Sequence, residues 1–145
     1  MDKYYRNDYH RLIANLHKTD GYIMNHFAQK LAPFDLSVQQ YIVLRRLSEV
    51  YPDSLTAGEL KEKMTEINSD ITRLTDRLIA KSLIVREVDP QNRRRVNLRL
   101  TEDSNRFVEK VALEFSDFES VVSHLTDEEV QLMNTLLDKI RYRIQ

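Results

Sequence analysis

The segment between Ser69 and Thr101 constrains the fold of this chain more strongly than any other. Its first third places apolar residues at helical spacing, and two later stretches, 84–88 and 96–100, alternate apolar and polar residues as short strands do. The sequence DPQN lies between these stretches and has the composition of a tight turn. We therefore predict an amphipathic helix that leads directly into a two-stranded hairpin.

The same segment is strongly basic, whereas the chain as a whole is not. The 145 residues carry a formal net charge of -1, with residues 1–68 balanced and residues 102–145 acidic. Inside the segment four acidic residues oppose eight basic ones, namely Arg73, Arg77, Lys81, Arg86, Arg93, Arg94, Arg95 and Arg99. This polarisation predicts a single surface for an anionic partner, and a basic helix followed by an arginine-tipped hairpin suits the two grooves of duplex DNA.

Helix signals dominate the rest of the chain. Apolar residues near helical spacing predict a first helix over about 7–31, which Pro33 ends. Thr101 is expected to cap a long helix that reaches about His124. Capping-box patterns begin three further helices, at Ser37 with Gln40, at Thr56 with Glu59 and at Thr126 with Glu129.

Two of these helices form a helix-turn-helix pattern. The short helix that begins at Thr56 extends to about Met64, and Asn68 or Ser69 is expected to cap the next one. The second helix is basic on its outer face, as a helix that enters a DNA groove would be. Only two glycines and three prolines occur in the chain, so a continuous and mostly helical molecule is expected.

Several functional classes are not expected from the composition. The chain has no cysteine, which removes disulfides and thiol chemistry, and its four histidines do not stand at metal-ligand spacing. It has no phosphate-binding glycine loop and no nucleophile elbow, so neither an enzyme nor a cofactor is expected. No apolar run is long enough to span a membrane and the first residues lack a secretory signal, which favours a cytoplasmic protein without a membrane partner.

Four motifs in order resemble the MarR family of winged helix-turn-helix transcriptional regulators. They are SVQQYIVLRRL, LTAGELKEKM, SDITRLTDRLIAKSLIVR and DPQNRRRVNLRLTE, at the spacing typical of the family. The resemblance implies a mainly α fold with a small β-hairpin wing and long N- and C-terminal dimerisation helices. It further implies a single domain over 1–145, in which 1–34 and 102–145 dimerise and 37–101 form the winged helix-turn-helix DNA-binding region.

The resemblance also implies a function. The chain is expected to be a bacterial homodimer that binds double-stranded DNA at a near-palindromic site, and to act as a repressor released by a small aromatic or phenolic ligand. The alternative is a winged-helix module that binds protein and no DNA. A ligand cleft between the N-terminal helix pair and the helix-turn-helix is expected to be lined by His17, Tyr22, Phe27 and Tyr41, although aromatic residues at helical spacing also occur in cores.

The predicted DNA contacts of the helix fall into two groups. Residues near its start, Ser69, Asp70 and Thr72, are the candidates for reading base edges, because the N-terminal part of a recognition helix enters the groove. Arg73 and Arg77 lie one turn apart on its outer face and are expected to contact DNA. The alternative for both arginines is a solvated face paired with acidic neighbours on the same helix.

The predicted DNA contacts of the wing are three consecutive arginines. By resemblance Arg94 matches the tip arginine that enters a narrow minor groove, whose negative potential attracts a guanidinium. Arg93 and Arg95 are expected on phosphates. The alternative is that the three arginines serve solubility only.

The chain departs from the family pattern at two positions. Ser82 stands where the family usually has glycine after the recognition helix, and a left-handed non-glycine residue costs about 1 kcal/mol. We therefore expect this helix to end differently. Asn92 replaces the acidic residue two positions before the tip arginine, so the carboxylate–arginine pair that would orient the tip is not expected.

Overall fold

The computed structural model describes residues 4–64 and 70–142. Residues up to Glu114 form one compact unit and residues from Phe115 onward form a second. In chain order the helices are α1 (Asp8–Leu31), α2 (Val38–Val50), α3 (Ala57–Glu62), α4 (Ile71–Ala80), α5 (Glu102–Leu113) and α6 (Asp127–Arg141). The strands are β1 (Leu55–Thr56), β2 (Ile84–Val88) and β3 (Val96–Leu100). The expected mainly α fold with a small β-hairpin wing is confirmed.

The core of the first unit is built around α2, which packs against α1, α3, α4, α5 and β3. Its apolar face supplies Tyr41, Leu44 and Leu47, together with Val43. Fully enclosed leucine and valine side chains come from every neighbouring element, namely Leu31, Leu60, Leu78, Leu98, Leu100, Val108 and Val111. This core holds α4 and the wing in a fixed arrangement.

The sheet has three antiparallel strands in the order β1-β3-β2. The two hairpin strands occupy the predicted residues, with Ile84 opposite Leu100 and Val88 opposite Val96. The third strand, β1, has two residues and pairs with β3, so that Leu55 lies opposite Leu98 and Thr56 opposite Asn97. The sequence analysis did not predict β1, because two residues cannot display an alternating pattern.

The predicted helix caps are largely confirmed. All three capping boxes have both of their hydrogen bonds, and Thr101 caps α5 by accepting the Ser104 N–H at 3.2 Å. The predicted cap of α4 by Asn68 or Ser69 is wrong, because Asp70 accepts the Arg73 N–H at 3.1 Å and the helix begins at Ile71. Three successive residues, NSD, can all cap a helix, so the sequence alone does not select one of them.

The expectation that α4 ends without a left-handed residue is also wrong. Ser82 has φ 59°. The Leu83 N–H bonds the Leu78 carbonyl at 3.0 Å and the Ser82 N–H bonds the Ile79 carbonyl at 2.9 Å, which together form a Schellman motif. Burial of Leu78 and Ile84 on either side of this turn requires the chain to reverse here, and the fold therefore imposes the strained conformation on a serine.

The long helix predicted over 102–124 is wrong in its length. α5 ends at Leu113, and a 3₁₀ turn over Phe118–Val122 follows in the second unit. Ser116 and Asp117 lie at the break, and short polar side chains compete with helical hydrogen bonds. The rings of Phe115 and Phe118 pack edge to face at 5.8 Å, a contact that the tighter turn permits.

Candidate nucleic-acid interface

The two faces of α4 separate packing from exposure. Ile71, Leu74 and Leu78 point into the core, and the buried Thr75 hydroxyl donates to the Ile71 carbonyl at 2.8 Å. The opposite face is exposed and presents Thr72, Arg73, Asp76 and Arg77. The helix is thus held by one face while a row of polar side chains is left for a partner.

The start of α4 holds the predicted base readers in different situations. Ser69 lies outside the described residues. Asp70 is exposed and one of its carboxylate oxygens is used in capping, while Thr72 is exposed on the first turn with no side-chain hydrogen bond within the described residues. Thr72 is therefore the more available of the two for an outside partner.

The wing tip is a tight loop that joins β2 to β3 and is closed by backbone hydrogen bonds of its own. Asp89 N–H donates to the Arg95 carbonyl at 2.9 Å, and Arg95 N–H donates to the Asn92 carbonyl at 2.8 Å. The Asn92 side chain accepts the Arg94 N–H at 3.1 Å, which fixes the backbone of the tip. Asn92 therefore shapes the tip through a backbone contact, where the family pattern would place a carboxylate beside an arginine.

Half of the eight basic side chains in the segment are paired with a carboxylate. Besides its ion pair with Glu59, Arg95 donates a hydrogen bond from Nε to Oδ1 of Asn97 at 3.3 Å. The four ion pairs are Lys81 with Asp35 at 3.3 Å, Arg86 with Asp76 at 2.6 Å, Arg95 with Glu59 at 3.0 Å and Arg99 with Glu87 at 2.6 Å. Sequence analysis missed these pairs. The strand register could have revealed only the last, because Arg99 and Glu87 are diagonal neighbours on one face of the hairpin.

The remaining four basic side chains, Arg73, Arg77, Arg93 and Arg94, are exposed. In the part of the chain that the structure describes, no carboxylate lies within 4.0 Å of their guanidinium groups. Neither Asp70 nor Asp76 pairs with the arginines of α4, since the first caps the helix and the second binds Arg86. The excess positive charge is thus concentrated at the outer face of α4 and at the wing tip.

One of the four paired carboxylates, that of Glu87, has a pKa below its ordinary value. The hydrogen bond from Arg99 is the largest cause that lowers the pKa of Glu87, and the positive charge of Arg99 adds to it. The Glu87–Arg99 pair therefore neutralises itself, and the paired arginines contribute less to the field outside the protein than the unpaired ones do.

Comparison with known proteins identifies this arrangement. The sequence model of the MarR family matches residues 36–96. The crystal structure of S. aureus MepR in complex with DNA is 31% identical, covers 88% of this chain and 94% of its own, and superposes with a TM-score of 0.77.

The chain belongs to the MarR family.

Further relatives of this MarR-family chain extend over almost its whole length. The uncharacterized HTH-type transcriptional regulator YsmB of Bacillus subtilis is 27% identical, with 92% of this chain and 93% of YsmB covered. The multiple antibiotic resistance protein MarR of Salmonella typhimurium is 28% identical, with 90% and 88% covered. The resemblance drawn from the four motifs is confirmed, and the chain is a DNA-binding transcriptional regulator and not an enzyme.

The four residues predicted to line a ligand cleft are only partly brought together. The rings of Phe27 and Tyr41 meet edge to face at 5.8 Å, and burial raises the pKa of the Tyr41 hydroxyl although Arg45 opposes the shift. Tyr22 is exposed and its ring packs at 4.7 Å on His26, which the prediction did not include. His17 is exposed on α1.

Two open clefts in this MarR-family structure are lined by residues other than the four predicted for the ligand cleft. One of about 470 Å³ lies between the start of α3 and the wing, and one of about 430 Å³ lies beside the turn after α1. Among the described residues no cluster of His, Asp or Glu is arranged to hold a metal ion. Within the same residues, no helix has the length and apolar character needed to cross a membrane.

Proposed function

We propose that the chain binds DNA as a homodimer, with α4 in the major groove and the wing tip in the flanking minor groove of each half-site. The observation that carries the proposal is the division of the unpaired arginines between these two elements, with Arg73 and Arg77 on α4 and Arg93 and Arg94 on the wing. A helix and a hairpin that each carry free guanidinium groups match the docking geometry of winged helix-turn-helix proteins. The DNA complex of S. aureus MepR supports this use of the fold.

Base reading is assigned to the start of α4. Thr72 offers a hydroxyl and a methyl group on the exposed first turn, and these groups can contact a base edge or a thymine methyl. Asp70 and Ser69 remain candidates, the first with its helix-capping carboxylate and the second outside the described residues. Arg73 and Arg77, one turn further along, supply contacts to phosphates or guanines.

Exposed apolar side chains support dimerisation through the terminal helices. On α6 no described residue is buried, and Leu132, Met133, Leu136 and Ile140 are exposed. On α1 Leu12 and Ile13 are exposed, and Leu31 alone among the helix residues is buried. Soluble proteins rarely leave such faces uncovered, so each is assigned to an interface with a second copy. Two copies related by a two-fold axis read a near-palindromic site.

Regulation by a small organic ligand is the proposed switch. The chain has no cysteine, so thiol oxidation does not control it. We assign the ligand to the region of the ring contact between Phe27 on α1 and Tyr41 on α2, where aromatic side chains could pack against it. Such a ligand releases DNA only by binding the DNA-incompetent arrangement more tightly, and the protein is then a repressor acting in the bacterial cytoplasm.

A mobility-shift assay on DNA from the regulator's own upstream region tests the DNA-binding surface. Arg94→Ala is expected to weaken binding and to reduce the slope of log affinity against log salt by about one if Arg94 contacts a phosphate. If Arg94 instead reads the minor groove, the loss should be greater on A·T-rich flanks than on G·C-rich ones. The control is Arg106→Ala. This variant removes an exposed arginine of α5 that forms an ion pair with Asp103 at 2.7 Å.

Two results would count against the assignment of the DNA-binding surface. Equal binding by the Arg94 and Arg106 variants at every salt concentration would remove the wing from the interface. Absence of binding to any upstream fragment would favour the alternative of a protein-interaction module.

The ligand switch is tested by a separate screen. Aromatic and phenolic acids are screened for thermal stabilisation of the protein and for release of DNA, and mild peroxide is expected to leave DNA binding unchanged.

A further inference from the structure

The carboxylate of Glu59 on α3 is shared between two partners. Its Oε2 accepts the Thr56 N–H at 2.9 Å, which is one half of the capping box that begins α3. Its Oε1 accepts from Nη2 of Arg95 at 3.0 Å. One side chain therefore joins the start of the helix-turn-helix to the wing.

A second contact completes a closed connection. The Nε of Arg95 donates to Oδ1 of Asn97 at 3.3 Å, and Asn97 is the β3 residue directly opposite Thr56 in the sheet. Thr56, Glu59, Arg95 and Asn97 thus form a ring that runs from β1 through α3 to the base of the wing and back. Thr56, Glu59 and Arg95 of this ring line the open cleft of about 470 Å³ between α3 and the wing.

The ring holds Arg95, which directly precedes β3, where the wing tip returns to the sheet. The Arg95 backbone makes both closing hydrogen bonds of the loop, to Asp89 and to Asn92. Fixing the Arg95 side chain therefore fixes one end of the tip, while Arg93 and Arg94 beyond it remain free of acidic partners among the described residues. The chain lacks the acidic residue at position 92 that the family pattern would use to orient the tip.

We propose that Glu59 is a positioning residue for DNA recognition, which acts through Arg95 to hold the wing so that Arg94 meets its groove. The proposal rests on the proposed DNA-binding function and assigns Arg95 to orientation of the wing. Both partners are about half exposed, with side-chain exposures of 42% for Glu59 and 47% for Arg95, and exposed pairs add little to folding stability. The consequence of the pair is geometric, since preorganised groups bind with a smaller loss of conformational freedom.

Simple electrostatics makes the opposite prediction. A carboxylate beside a DNA-facing arginine repels phosphates, so a Glu59 that acted only through its charge would weaken binding, and its removal would strengthen it. Glu62 is an exposed acidic residue on the same helix and is the matched control, because Glu62→Gln removes an equal charge without an Arg95 contact. Glutamine also serves in capping boxes, so Glu59→Gln is expected to retain α3.

The test is a double-mutant cycle between Glu59 and Arg94, which do not form an ion pair. Arg94→Ala is expected to weaken DNA binding by roughly tenfold in the wild-type and Glu62→Gln backgrounds, but by less than about threefold in the Glu59→Gln background. A role confined to the stability of α3 would not change the contribution of Arg94. The same loss in all three backgrounds would overturn the proposal, as would tighter binding by Glu59→Gln with an unchanged Arg94 effect.

A second measurement uses the free protein. Backbone amide order parameters at residues 92–95 are expected to fall in Glu59→Gln and to stay at wild-type values in Glu62→Gln. Unchanged order parameters in Glu59→Gln would overturn the positioning role even if DNA binding is intact. If order parameters fall while no protein binds DNA, the wing anchor stands and the proposed function fails.

Discussion

Helices α4 and α6 have similar apolar spacing, yet their apolar residues have opposite environments. On α4, Ile71, Leu74 and Leu78 are 6%, 7% and 0% exposed. On α6, Leu132, Leu136 and Ile140 are 59%, 49% and 54% exposed. A repeat of apolar residues therefore identifies a face that must be covered, but it does not tell whether the same chain covers it. We interpret the first face as part of a self-sufficient core and the second as half of an interface.

The largest effect is expected when charged residues replace apolar ones on the exposed face of α6. The double variant Leu132→Glu with Leu136→Glu is expected to be a monomer at micromolar concentration, since like charges would meet across the two-fold interface. DNA affinity should fall by at least about 100-fold, because two half-sites are no longer bound by linked protomers. Sedimentation equilibrium and mobility shift measure the two effects, and a double variant that remains a dimer would refute the interface.

The matched change on the covered face is the control. Leu78→Ala leaves a cavity in the core and is expected to lower the free energy of unfolding by about 2–5 kcal/mol, as urea denaturation would measure. Under folding conditions its oligomeric state should be that of the wild type. The two variants therefore separate folding of the winged region from association of protomers.

A smaller effect is expected at the end of α4. Ser82→Gly should relieve the left-handed strain at φ 59° and raise the free energy of unfolding by about 0.5–1 kcal/mol, after the greater freedom of glycine in the unfolded chain is subtracted. Ser123→Gly is the control, because Ser123 has φ -66° and no strain to relieve. Thermal unfolding compares the two variants, and a destabilised Ser82→Gly protein would contradict this account of the helix end.

The smallest expected effect is a pH dependence that belongs to the covered region. Burial raises the pKa of Tyr41, so its neutral form is favoured in the folded protein and the associated stability is complete below the ordinary tyrosine value. That stability is lost as the pH rises through the ordinary value toward the folded one. Absorbance at 295 nm should show a late tyrosine ionisation that is missing in Tyr41→Phe. An identical alkaline titration in both proteins would contradict the assigned burial.

Much of the winged region could be predicted from local sequence signals. Capping boxes at Ser37 and Thr56 and the alternation of strands 84–88 and 96–100 are local patterns, and each specified its element within a residue or two. The apolar spacing alone did not predict where α5 ends. The polar residues at the end of α5 stop a helix that the spacing of Phe107, Val111 and Phe115 would have continued.

The sequence predicted where the candidate site lies, but it did not predict which of the arginines pair with carboxylates. A run of arginines indicates a basic surface, yet the pairing of Arg95 with Glu59 joins residues 36 positions apart. No periodicity encodes such a pair, since it depends on how the wing folds back toward α3. The dimerisation roles of 1–34 and 102–145, the single-domain description and the ligand cleft remain predictions.

The ion pair between Lys81 and Asp35 links two distant parts of the first unit. Lys81 follows α4, Asp35 lies in the turn after α1, and the lysine contacts both the backbone carbonyl and the carboxylate of that turn. The contact joins the turn after α1 to the end of α4 through side chains 46 residues apart in sequence. Because the two charges lie 3.3 Å apart, well inside the screening length of about 8 Å at physiological ionic strength, salt in the cell weakens this link only in part.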